Sequence, residues 1–201
     1  MKKIGLFGGT FDPIHIGHLI AAEEVRIKLN LDEIIFIPAG HPWLKEGKRE
    51  ITPPSKRLEM VRLAVRGNPH FKVSSIEIER EGPSYSVDTV SFFRENLPNS
   101  ELYFILGEDA LIELPLWKEP QRLISLCRLA VVRRAGVSKV ELEALEERIP
   151  GIKERAVFLE TPLVEISSTE IRSRVACGLS IRYLVPREVE EFIRREGLYR
   201  S

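Results

Sequence analysis

Residues 3–18 read Lys3-Ile4-Gly5-Leu6-Phe7-Gly8-Gly9-Thr10-Phe11-Asp12-Pro13-Ile14-His15-Ile16-Gly17-His18. The first five form a short apolar run suited to a buried strand, and 8–13 are punctuated by glycine and proline as a turn. A helix then opens at His15 or Gly17, because Leu19, Ala22, Val25 and Leu29 recur at helical spacing until Asn30 closes it. Strand, glycine turn and helix in immediate succession make a βα unit.

The rest of the chain repeats that alternation. Strands are expected at 33–38, 72–78, 102–106, 129–132 and 156–159. Helices are expected from a cap at Ser55 to Gly67-Asn68-Pro69, over 86–96, over 138–149, and near 168–176 and 187–196. Gly107-Glu108-Asp109 follows a strand, and a short apolar helix after it is interrupted by Pro115 and Pro120. The stretch 39–54 is too long for a simple connection, and loops of that kind often bind something. Short apolar strands alternating with helices predict an α/β fold: a Rossmann-like, doubly wound, mostly parallel sheet with helices on both faces. No repeat or linker divides it, so 1–201 reads as one domain whose C-terminal part, about 167–201, is helical. Ligands of such sheets lie beyond the carboxyl ends of the strands where strand order reverses, which directs attention to 8–18, 107–109 and 133–136.

Composition limits the function. The chain has 201 residues, 43% hydrophobic and 30% charged, and its 30 basic residues balance 30 acidic ones. No global field draws polyanions, so a nucleic-acid surface is not expected and any anion site must be local. The apolar runs are far shorter than the ~20 residues of a membrane helix. The N-terminal stretch is too glycine-broken for a signal peptide, and Cys127 and Cys177 lack metal-ligand spacing, so free thiols in the cytoplasm are the expectation.

Gly8 and Gly9 let a phosphate approach backbone N–H groups, and the following helix aims its N-terminal amides at the same space. The turn is neither a Gly-x-Gly-x-x-Gly fingerprint nor a Walker loop. His15 and His18, three residues apart, can both face one anion. The alternatives are incidental histidines in a first helical turn, or a zinc site, for which no third ligand lies nearby. The run 8–18 resembles the His-x-Gly-His nucleotidyltransferase superfamily, and Ile166-Ser167-Ser168-Thr169-Glu170-Ile171-Arg172 is similar to that superfamily's second motif, Ile-Ser-Ser-Thr-x-x-Arg. Taken alone, the second segment also reads as an ordinary Ser/Thr cap with a surface arginine.

What the superfamily does is transfer a nucleotidyl group from a nucleoside triphosphate. The resemblance implies that His15, His18, Thr10 and Arg172 handle the phosphates, with Gly8, Gly9, Phe11, Gly107, Asp109, Ile166, Ser167, Ser168 and Thr169 around ATP. Three further segments, 82–89, 106–111 with Leu116-Trp117, and 196–200, look like the bacterial nicotinate-nucleotide adenylyltransferases. That resemblance implies ATP and nicotinate mononucleotide as substrates, Mg²⁺ carried by ATP with no dedicated protein ligand, and NAD as the downstream product of the pathway. It also allows a homodimer. The acceptor nucleotide would then meet Lys45, Tyr85, Ser86, Trp117, Lys118, Arg133 and Arg134, the carboxylate being held largely by the amides of Ser86 and Lys118. On the residues alone, Trp117 and Tyr85 also suit plain packing, Asp109 suits a helix cap, and Arg133 and Arg134 suit solvated surface. In the long loop the family commonly has Pro-Pro-His-Lys where this chain has Pro42-Trp43-Leu44-Lys45, which leaves the role of Trp43 open. The competing readings are phosphopantetheine adenylyltransferase and a nucleotide-binding sensor without turnover.

Overall fold

The computed structural model describes residues 1–43, 50–133, 141–162 and 164–200. In chain order the elements are β1 (Lys2–Gly9), α1 (Ile16–Lys28), β2 (Glu33–Pro38), α2 (Pro54–Val65), β3 (Phe71–Val73), α3 (Ile76–Glu79), α4 (Ser86–Asn96), β4 (Ser100–Gly107), α5 (Glu108–Glu113), α6 (Pro120–Leu126), β5 (Arg128–Val132), α7 (Leu142–Arg148), α8 (Ile152–Arg155), β6 (Ala156–Leu159), α9 (Ser168–Ala176) and α10 (Arg187–Arg195). The strands form one six-stranded sheet in the order β3-β2-β1-β4-β5-β6, every neighbouring pair parallel. Order reverses between β1 and β4, which places a crevice beyond the carboxyl ends of those two strands.

Both faces of the sheet are buried, which is why the strands read as continuous apolar runs rather than alternating ones. Within each strand successive side chains part to opposite faces. Phe7, Phe36, Ile105 and Val132 join Ala22 and Val25 of α1, Met60 and Val61 of α2, Ile171 of α9, and Val189 and Phe192 of α10. Leu6, Ile37, Phe104 and Val131 join Val87 and Val90 of α4, Leu111 of α5, Leu123 of α6, Leu145 of α7 and Ile152 of α8. The predicted doubly wound architecture is therefore present, and the C-terminal helices belong to its core.

Two local expectations are corrected, and a third lies partly outside the described residues. The strand read at 72–78 ends at Val73, where Ser74 N–H donates to Phe36 O at 2.9 Å, and Ile76–Glu79 forms a helical turn instead. A second feature fixes that turn: a Cβ on Gly40 would lie 2.1 Å from Glu77 O, so the two backbones touch. The helix expected to be capped at Ser55 begins at Pro54 with Pro53 as its N-cap, since a first-turn proline gives up an N–H that has no intrahelical partner anyway. Of the helix read at 138–149, the described part is Leu142–Arg148, and 138–140 lie outside the described residues. No described helix is long and apolar enough to cross a membrane.

Candidate active site

The β1–α1 turn lies at the switch point. Phe11 adopts φ +47, which presses its ring under Gly9, where a Cβ would come within 2.9 Å of it. Only glycine fits there. The Phe11 ring is 3% exposed and packs edge-on to Phe7 at 5.6 Å and His18 at 5.1 Å, so its side chain builds the floor of the site, leaving only its backbone for a ligand.

His15 is the N-cap of α1, and its backbone N–H donates to His18 Nδ1 at 3.2 Å. That bond makes Nδ1 an acceptor and puts the proton of a neutral His18 on Nε2. The two imidazoles stack with centroids 3.6 Å apart and both line the crevice.

The turn is held from behind by long-range donors. Arg172 Nη1 donates to Asp12 O at 2.7 Å and its Nη2 to Thr169 Oγ1 at 3.1 Å. Ser168 Oγ donates to Pro13 O at 2.9 Å. Tyr199 OH donates to Asp12 Oδ1 at 2.7 Å. Arg57, with no exposed surface, donates to Thr10 O at 2.7 Å, Thr52 O at 2.8 Å and Gly40 O at 3.3 Å. Ser167 caps α9 by accepting from Glu170 N–H at 3.1 Å. Ser168 thus spends its proton on Pro13 O, whereas the Ser167 and Thr169 oxygens accept in these bonds and keep an O–H to donate. Beside those hydroxyls, α9 offers an anion its first-turn amides and its positive dipole end.

The crevice has two connected lobes sharing Phe7, His15, His18, Leu106, Gly107, Ile166 and Ser167 as walls. The larger, about 760 Å³, also takes in Gly8, Gly9, Thr10, Phe11, Asp12, Tyr85, Ser86, Asp109, Trp117, Lys118, Ser168, Thr169 and Arg172. Most of the residues singled out from sequence therefore meet in one cavity. The smaller, about 300 Å³, runs over Gly17, Ala21, Val132 and Pro162.

At the far end of the large lobe the walls are aromatic. Trp43 stands 5.7 Å from Tyr85, and Trp117 lies edge-on to Phe104 at 6.0 Å. Trp117 Nε1 is buried with no hydrogen-bond partner among the described residues, a donor at the cavity wall. Lys118 Nζ sits 4.7 Å above the Tyr85 ring and 3.1 Å from Asp88 Oδ2, so its side chain is engaged at the rim. Ser84 Oγ accepts from the N–H groups of Gly40 and His41 at 2.9 and 3.1 Å, which ties this end to the start of the long loop. Beneath it, Glu77 is 6% exposed and accepts from Thr89 Oγ1 at 2.6 Å; burial pushes its carboxyl above the ordinary range.

Arg133 was placed with the acceptor group, but β5 ends on the other side of β4, and Arg133 lines the smaller lobe. There its Nε lies 3.6 Å from Glu108 Oε1 and its Nη1 3.4 Å from Glu160 Oε1, with the side chain half exposed. Lys45 and Arg134 lie outside the described residues. Arg57, Asp12, Glu77 and Tyr199 were not singled out as site residues. For Asp12 and Tyr199 a signal existed, their places in the turn 8–18 and in the terminal segment 196–200; for Arg57 and Glu77 nothing local distinguishes them.

Among the described residues no group of three or more His, Cys, Asp or Glu side chains is arranged to hold a metal ion. The site's chemistry is that of hydrogen-bond donors around a polyanion, with the Asp109 carboxylate exposed at the start of α5.

Known proteins are similar to this chain in sequence or in fold. A family model described as cytidylyltransferase-like matches residues 6–174. A protein of Thermomicrobium roseum named as a probable nicotinate-nucleotide adenylyltransferase is 47% identical over 201 residues, covering 100% of this chain and 93% of the relative. One of the same name from Roseiflexus sp. is 51% identical over 198 residues, 98% of each chain. Among solved structures, Plasmodium falciparum nicotinic acid mononucleotide adenylyltransferase complexed with NaAD matches with TM-score 0.81 at 19% identity, over 99% of this chain and 98% of that one. A putative nicotinate-nucleotide adenylyltransferase from Vibrio parahaemolyticus matches with TM-score 0.67 at 22% identity, over 100% and 97%. At those identities the structural likeness speaks to the fold.

Proposed function

The chain belongs to the cytidylyltransferase-like family and, within it, to the nicotinate-nucleotide adenylyltransferases, and from that premise we propose how its crevice performs the transfer. ATP enters as its Mg²⁺ complex, the metal riding on the phosphates. A phosphate oxygen of nicotinate mononucleotide attacks the α-phosphorus as the bond to the bridging oxygen of pyrophosphate breaks. The products are nicotinate adenine dinucleotide and pyrophosphate, and no covalent enzyme intermediate forms. Both reactants are anions, so catalysis reduces to alignment and charge neutralisation.

The convergence of His15, His18, Arg172 and the first-turn amides of α1 and α9 on one cavity is the observation that carries this reading. His18 presents Nε2–H to the triphosphate. Thr10 aligns the attacking phosphate at the same turn. The adenosine half takes the lobe over Gly17 and Ile166, and Asp109, on the large-lobe side of the shared Gly107, accepts from ribose hydroxyls where the lobes meet. The pyridine ring takes the aromatic end between Tyr85 and Trp117. There the amides of Ser86 and Lys118 suit a carboxylate and would meet an NH₂ group on the amide analogue, so acid is preferred.

The test supplies ATP·Mg²⁺ with nicotinate mononucleotide, nicotinamide mononucleotide or phosphopantetheine and follows pyrophosphate and dinucleotide. Preference for nicotinate mononucleotide is the expected result. Turnover with phosphopantetheine alone overturns the acceptor assignment, and no turnover with any acceptor overturns the enzyme.

A further inference from the structure

One residue from the far end of the chain braces the crevice turn from behind, outside the lining of either lobe. Tyr199 follows α10 and reaches back across 187 positions to give its hydroxyl hydrogen to Asp12 Oδ1 at 2.7 Å. The route is built for that contact. Gly197 at φ +60 reverses the chain, Leu198 N–H closes on Ile193 O at 3.0 Å, and Tyr199 itself sits at φ +63, a left-handed conformation that a bulky residue adopts only when its surroundings fix it.

Asp12 is 1% exposed, lines the large lobe, and stands in the turn between Thr10 and His15. Its carbonyl already accepts from Arg172. Burial first, and then the Asp12 carboxylate, push the Tyr199 phenol above its ordinary range, so it is a proton donor across the working pH; the Thr52 side chain also hydrogen-bonds to it.

We propose that Tyr199 is a positioning residue for adenylyl transfer, holding the Asp12 carboxylate back from the phosphate site and so fixing the turn that carries Thr10 and His15. The inference rests on the adenylyl-transfer reading above. Without the hydroxyl, the buried Asp12 carboxylate loses one of its donors and turns toward the crevice it lines, where its charge opposes the triphosphate.

The test is Tyr199→Phe, which keeps the packing and removes one hydroxyl. A displaced turn lowers kcat about 10-fold, weakens binding of a non-hydrolysable ATP analogue about 3-fold, and leaves KM for nicotinate mononucleotide within about 2-fold. Asp12→Asn removes the charge that Tyr199 restrains. In that background the further effect of Tyr199→Phe shrinks to less than about 3-fold in kcat, the mark of two groups acting as a unit. Wild-type kcat and analogue affinity in Tyr199→Phe overturn the proposal, and so does an undiminished 10-fold loss in the Asp12→Asn background. A wild-type protein inactive with every acceptor defeats the functional reading instead; the analogue titration of Tyr199→Phe against wild type then still decides the role of Tyr199, equal affinity refuting it.

Discussion

His18 carries two separable jobs on one ring, and the structure says how to pull them apart. Nδ1 accepts from the His15 N–H at 3.2 Å and so helps close the start of α1, while Nε2, on a ring that lines the crevice, is the nitrogen proposed to donate to the triphosphate. An asparagine side chain places its amide where Nδ1 stands, and a glutamine reaches the position of Nε2. His18→Asn should therefore keep the cap and lose the donor. One donor aimed at developing phosphate charge is worth roughly 3 kcal/mol, so kcat should fall about 100-fold or more, with thermal stability close to wild type. His18→Gln should retain part of the rate and lose the cap, a cost of about 1 kcal/mol, or roughly 2–4 °C in a chain of this size. Steady-state pyrophosphate release and a thermal melt on each variant give the four numbers. Equal kcat in His18→Asn and wild type would refute the assignment of Nε2. A stability loss in His18→Asn as large as in His18→Gln would refute the role of Nδ1.

Other consequences follow from buried groups. Arg57 spans three carbonyls, and an ammonium cannot, so Arg57→Lys should cost about 2–4 kcal/mol of stability by chemical denaturation, with kcat/KM falling because Thr10 is one of the groups it holds. Unchanged stability would show that the clasp carries nothing. Glu77 has a raised carboxyl pKa in the fold, so the folded chain favours its neutral form and loses stability as pH rises from the ordinary glutamate range through the raised value. Glu77→Gln keeps an acceptor for Thr89 and cannot titrate; its melting temperature should gain on wild type as pH goes from about 4 to about 8, and a constant difference would contradict the raised pKa. Cys127 is buried, its thiol pushed up to about 12, and Cys177 is exposed, so a thiol-specific reagent should label one cysteine in the native protein and both in denaturant.

The fold was legible because its signals are local. The glycine turn after β1, the helical spacing of Leu19, Ala22, Val25 and Leu29, and the apolar runs of β2, β4 and β5 each report on a handful of neighbouring residues. The same holds for His15, His18 and the Ser167–Arg172 segment, which sit at helix starts whose chemistry their own sequence announces. Residues 72–78 misled because a short alternation cannot distinguish a strand from a strand that ends in a turn, and the deciding contact, Gly40 against the Glu77 backbone, is made elsewhere in the chain. Arg57 reads as one more cation on an amphipathic helix, and Tyr199 as a tail aromatic. Their partners are 47 and 187 positions away, and only the closed fold brings them to the turn. Arg133 was drawn to the acceptor by its place after a buried strand, yet strand order puts that strand's end over the other lobe.

The zero net charge that argued against a nucleic-acid surface is consistent with a local polyanion site, because the donors gather at one crevice between two helix starts. Direct transfer within that crevice, with the protein supplying donors and no nucleophile, is tested most directly by following the configuration at the α-phosphorus. One diastereomer of ATP with sulfur in place of a non-bridging oxygen on the α-phosphorus is converted with nicotinate mononucleotide, and the configuration of the thiophosphate in the dinucleotide product is assigned by ³¹P NMR. Inversion is the predicted outcome, since one in-line displacement inverts the centre. Retention would require two displacements and a covalent adenylyl-enzyme, and would contradict the account.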